Sequence, residues 1–193
     1  MANNHTKPKA IKIVLSIIAV VIAASGLLGF ISLENARDMA EIEKVIKESV
    51  IADHILPILP EPYCSDPKGK IPAHVKQVMF DKITAKYNEI YTSDSAIKKS
   101  RIECLKNAVS GQESDNFREL DGGIKKFDNL IINLNGDRAT AEADIRTYAR
   151  GKGPDGKIST PEGTAHYRFS FAKEAGCWKI SYEEFNFLPG EEP

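Results

Sequence analysis

Asp128 is the carboxylate whose neighbours in the sequence come closest to a reactive setting. It shares even parity with Ile124, Leu130, Ile132 and Leu134. A two-residue turn at Asn135-Gly136 sets Ala143 opposite it, leaving space on an otherwise apolar face. A carboxylate desolvated in that way has a raised pKa and can serve as an acid or base. Alternatively, Asp128 lies at an open rim, or a bulge near Asp128-Asn129 slips the parity. Tyr167, Phe169 and Phe171 on one strand and Trp178 and Tyr182 on the next supply an aromatic lining, so these residues and Asp128 are the pocket candidates. No catalytic set is assigned, because there is no glycine loop for phosphates, no nucleophile elbow and no His-Asp pair at a convincing spacing.

His5, His54, His74 and His166 are scattered, and neither Cys-x-x-Cys nor His-x-x-x-His spacing occurs, so no metal and no cofactor is expected. His166 is opposite in parity to the Tyr167, Phe169, Phe171 face and points away from the predicted core. Cys64 and Cys104 are the candidate disulfide, provided the domain lies in an oxidising space. Such a bridge would be worth about 3 to 4 kcal/mol in the loop-entropy picture. Cys177, beside Trp178, reads as a small packed residue. Arg146, Arg150, Lys152 and Lys157 cluster loosely around the end of a strand and its loop, and read as solvated surface.

These side chains need elements to hold them. Met39, Ile42, Ile46 and Val50 form one stripe of a helix between Glu34 and Ile55. Pro57, Pro60, Pro62 and Pro67 make the next stretch irregular. Val75, Met79, Ile83, Tyr87 and Ile90 mark a second helix from Ala73 to about Tyr91. A third, capped by Ser93 or Ser95, runs through Ala96, Ile97, Ile102 and Leu105 to about Gly111. The period then changes from near four to two. Ala139, Ala141, Ala143 and Ile145 continue the hairpin begun by Ile124 to Leu134, with Ile132 paired to Ala139. After a Gly- and Pro-rich loop, two more strands join near Ala175-Gly176 and end at Phe185 and Phe187. Helices first and an antiparallel sheet second indicate an α+β domain with helices packed on one face of a curved four-stranded sheet.

The uncharged run from Ile13 to Leu33 is long enough to cross a membrane: as a helix it spans roughly 31 Å, against a hydrocarbon core of about 30 Å. Lys7, Lys9 and Lys12 precede it and only Arg37 follows closely, which favours a cytoplasmic N-terminus and an extracytoplasmic remainder. A cleaved signal peptide with Ala23, Ala24 and Ser25 near its end is the rival reading, though cleavage there would expose Leu27, Leu28, Phe30 and Ile31. Ser25 and Gly29 could let two such helices pack as a homodimer. The chain then reads as a cytoplasmic tail (1–12), a transmembrane helix (13–33), a juxtamembrane helix and Pro-rich linker (34–72), an α+β domain (73–188) and a tail (189–193). Its 193 residues leave no room for a multidomain enzyme, and a net charge of -1 speaks against nucleic acid as a partner.

From Ala73 to Leu188 the helix order, the strand meander and the run Gly176-Cys177-Trp178-Lys179-Ile180 resemble the nuclear transport factor two-like superfamily, the cone-shaped α+β fold of SnoaL-type polyketide cyclases. An anchor followed by this domain is also similar in layout to the inner-membrane assembly scaffold of type IV secretion systems. That resemblance implies a non-catalytic extracytoplasmic scaffold with a protein partner in an envelope complex. Alternatives within the same fold are a small apolar ligand-binding module or a cyclase- or isomerase-type enzyme using the cone.

Overall fold

The computed structural model describes residues 33–193, in two compact units divided in sequence between Ala40 and Glu41. Residues 33–40, in the first unit, are helical. The predicted span over 13–33, including Ser25 and Gly29, lies outside the described residues but for Leu33. Among the described residues no helix is long and apolar enough to cross a membrane.

The second unit opens on helix α1 (residues 41–55), whose stripe of Ile42, Ile46 and Val50 is buried. Residues 56–72 are irregular, as their prolines require, but they are not a linker. Leu59 and Ile71 enter the core, and buried donors tie down the backbone between them. The Arg118 guanidinium, with no exposed surface, donates to the carbonyls of Tyr63 (2.9 Å), Gln112 (2.5 Å), Phe117 (2.7 Å) and Gly69. Gln112 donates to the carbonyl of Pro57 at 2.8 Å. The compact unit therefore begins at Glu41 and not at Ala73.

Helix α2 (Ala73–Ile90) buries Val75, Met79, Ile83, Tyr87 and Ile90, the stripe read from its spacing. Helix α3 (Lys98–Ser114) starts without a side-chain cap and runs past Gly111. Neither candidate cap serves it: Ser93 bonds Glu174 and the Ser95 hydroxyl bonds the carbonyl of Ser181, so both serines fasten this corner to the sheet.

The sheet comprises β1 (Arg118–Asn135), β2 (Arg138–Lys152), a two-residue β3 (Ile158–Ser159), β4 (Glu162–Glu174) and β5 (Cys177–Phe187). Its antiparallel order is β1-β2-β4-β5, with β3 beside β2. The first turn is one residue later than the spacing predicts: Asn135 pairs with Arg138 and Ile132 with Ala141, leaving Gly136 and Asp137 as the loop. Gly136 accepts the required left-handed φ of 59°. Moving the turn by one residue shifts each pairing by two, so the predicted faces survive. Ala139, Ala141, Ala143 and Ile145 are all buried. Gly151 is needed for another reason, since a Cβ there would sit 1.9 Å from the Phe117 ring.

Candidate functional site

Two bulges decide which side chains face the inside of the sheet. In β1 the register shifts between Asp128 and Ile131, with Asn129 held at φ 53°, so Asp128 pairs with Asp144 and not Ala143. Asp128 is thereby turned to the outer face, where Lys126 holds it at 2.7 Å, and it lines no pocket in the cone. In β5 the register shifts between the pairs Ser170–Tyr182 and Phe171–Ile180. Trp178 and Ile180 face inward, Tyr182 is turned out with 45% of its surface exposed, and Glu183 takes the inward place. Of the aromatic candidates, Tyr167, Phe169, Phe171 and Trp178 are buried together. Tyr167 and Phe169 stack at 5.7 Å, and Phe169 meets Phe171 at 5.9 Å. Tyr182 is the exception.

The candidate disulfide is corrected as well. Cys64 and Cys104 are unbridged, and Cys177 is free too. Cys104 and Cys177 are exposed, whereas Cys64 is half-buried in the turn that carries Glu61. Among the described residues no three His, Cys, Asp or Glu side chains converge on a metal-sized site.

The polar centre of the cone is built from residues that pattern reading treated as spacers. On α1, Ser49 and Asp53 are four apart and extend the buried stripe of Ile42 and Ile46. On α3, Arg101 lies midway between Ile97 and Leu105 on the apolar face. The rings of Tyr87, on α2, and Tyr91, the extended residue just after it, stack at 5.2 Å and are fully buried. Arg101 joins two carboxylates: one guanidinium nitrogen contacts Asp53, and Nε lies 2.8 Å from Glu183. The Tyr87 hydroxyl donates to Asp53, and the Ser49 hydroxyl donates to Glu183 at 3.4 Å and lies 3.2 Å from the Tyr91 hydroxyl. Glu183 is the deeper carboxylate, its side chain 4% exposed against 20% for Asp53.

Burial pushes the carboxyls of Asp53 and Glu183 above the usual range, against the pull of the neighbouring Arg101 cation. Burial disfavours the Arg101 cation too, yet the two carboxylates more than offset this and hold its proton more tightly. Burial also lowers the His54 pKa, although Asp53 beside it works the other way. The group can store or share a proton. However, Asp53 accepts from Tyr87 and Arg101 and Glu183 Oε2 accepts from Ser49, while Glu183 Oε1 is held by charge alone, 2.8 Å from Arg101 Nε without an aligned hydrogen bond, so a substrate would have to compete with these partners.

The outer face of the sheet is a different surface. A cleft of about 440 Å³ runs along Asn133, Arg138, Thr140, Ser170 and Ser181. Beside it lies one of about 280 Å³ lined by Glu142, Arg168, Tyr182 and Glu184. His166 points outward as its parity predicts, with Nδ1 2.7 Å from Asp144, whose second oxygen accepts from Asn129. That His-Asp pair was invisible in the spacing because it is made across two strands.

A model of the SnoaL-like domain matches residues 72–183. Among solved structures, a protein of Novosphingobium aromaticivorans provisionally named a scytalone dehydratase aligns with a TM-score of 0.52 and 11% identity, over 80% of this chain and 86% of its own. The Kfla4162 protein of Kribbella flavida aligns with a TM-score of 0.51 and 12% identity, over 79% and 92%. A hexachlorocyclohexane dehydrochlorinase, LinA type 2, aligns with a TM-score of 0.49 and 12% identity, over 82% and 94%. At such identities the likeness is one of fold. No curated protein sequence matches the chain.

Proposed function

Since the chain belongs to the SnoaL-like domain family, whose fold serves enzymes and non-enzymes alike, we propose from its own interior that it is a non-catalytic, membrane-tethered domain acting as a scaffold or assembly component of an extracytoplasmic envelope complex. The observation that carries this reading is the chain of contacts that runs from Tyr87 through Asp53, Arg101 and Glu183 to Ser49. A catalytic acid or base must reach the proton it moves; here the inward carboxylates are committed to Arg101 and to hydroxyls. The outer face of the sheet, which no described element covers and where Ile131 and Tyr182 are exposed among charged residues, is suited to a protein contact. The uncharged run 13–33 supplies the tether, which raises the effective concentration of a weakly binding domain beside membrane partners.

Mild-detergent extraction from native membranes, followed by identification of co-purifying proteins, tests the proposal. A reproducible protein partner lost on Tyr182→Asp or Arg168→Glu supports it. A bound small molecule on the isolated protein, with no partner, would overturn it in favour of a ligand-binding module or a cyclase- or isomerase-type enzyme. Phe185 and Phe187 favour that second reading: both are about two-fifths exposed, and Phe185 stacks on Tyr167 at 5.1 Å, leading toward the charged centre.

A further inference from the structure

The buried network has more negative groups than positive ones. Two carboxylates, Asp53 on α1 and Glu183 on β5, share one guanidinium, Arg101 on α3. The other titratable groups facing them are His54 on α1, Tyr87 on α2, Tyr91 just after that helix, and Tyr167 on β4. The tyrosines are held neutral by burial, and His54 is disfavoured as a cation by its own burial. A buried excess of one negative charge is costly, and a proton on one carboxyl removes it. The geometry favours such sharing, because both acids contact the same guanidinium.

The same contacts add a polar fastening to the apolar stripe that packs α1 on the core. Ser49 and Asp53 lie on one face of that helix, and their polar bonds run to β5, α3 and α2. We propose that this network is a proton-held latch on α1: one proton resides on the Asp53–Glu183 pair while the helix is docked, and loss of that proton loosens α1 from α2, α3 and β5. Opening exposes both carboxyls to water, where they ionise in the ordinary carboxylate range, so the open form binds one proton fewer. The docked population therefore falls as pH rises through the interval between that range and the docked pair's higher one, and is unaffected above it. α1 is also the segment through which the predicted tether joins the domain. The latch stands or fails independently of any partner, since it concerns only this chain.

Hydrogen exchange of the α1 amides over residues 46–55, measured on the full chain in detergent from about pH 4 to about pH 9 and divided by the intrinsic amide rates, tests the latch. In the regime where exchange follows the opening equilibrium, protection in α1 should fall by about tenfold per pH unit across that interval and then level off. Glu183→Gln, which keeps the shape and leaves Arg101 one carboxylate, should flatten the profile, and Asp53→Asn provides the same test from the helix side. Glu119 also titrates above its usual range, pushed up to about 7 by burial, so Glu119→Gln is the control and should leave the α1 slope intact. A wild-type profile without the fall, or the same fall in whichever of the two network variants folds, would overturn the latch.

Discussion

At the scale of single residues, the bulge in β5 makes opposite demands on two neighbouring aromatics. Phe171 is 2% exposed and Tyr182 is 45% exposed, although alternation along the strands predicts both to face inward. Phe171→Ala should cost about 3 to 5 kcal/mol, whereas Tyr182→Ser should stay within about 0.5 kcal/mol; urea titration of both variants distinguishes them, and equal losses would place Tyr182 in the core after all. The sequence does hold a trace of the bulge. Trp178 and Ile180 are even, Phe185 and Phe187 are odd, and an extended strand cannot bury both sets on one face without an extra residue between them. What no periodicity reveals is that Glu183 inherits the inward place, because a charged residue there reads as a solvent-facing one. The cysteines add a second expectation at this scale. Thiol titration of unreduced, denatured protein should count three free groups, and a reductant should leave the midpoint of unfolding where it was; a count of one would restore the Cys64–Cys104 bridge.

At the scale of elements, the helices and strands were readable because each carries a stripe of its own period, and the stripe of α2 is buried as spaced. The segment 56–72 was not readable, since it has no period and its prolines suggest only irregularity. Its order comes from donors that lie far away in sequence. Arg118 satisfies the carbonyls of Tyr63 and Gly69 from the start of β1, and Gln112 satisfies that of Pro57 from the end of α3. A planar guanidinium can serve several acceptors at once, which an ammonium cannot do with the same geometry. Arg118→Lys should therefore weaken the segment nearly as much as Arg118→Met, by roughly 3 kcal/mol, as buried carbonyls lose their donors. Limited proteolysis should then cut near residues 60–70 in both variants before any other site. Wild-type resistance in Arg118→Lys would show that charge, and not the fork of donors, holds the segment.

At the scale of the molecule, the resemblance marks the domain from Ala73, and the matched family model covers 72–183, yet the packed core starts thirty residues earlier. Ile42, Ile46, Val50 and Leu59 are each at most 2% exposed and pack with residues of α2, α3 and the sheet. Fully burying one such side chain is worth about 1.5 to 3 kcal/mol, so the four together contribute roughly as much as the whole net stability of an ordinary domain, about 5 to 15 kcal/mol. A fragment beginning at Ala73 should lack a cooperative unfolding transition and expose the inner face of its sheet, binding a hydrophobic dye. A fragment spanning Glu41–Pro193 should unfold in one sharp step. Cooperative unfolding of the shorter fragment would mean that α1 is an accessory to the cone. Its absence would make α1 part of the domain, and any movement of that helix would then change the core itself.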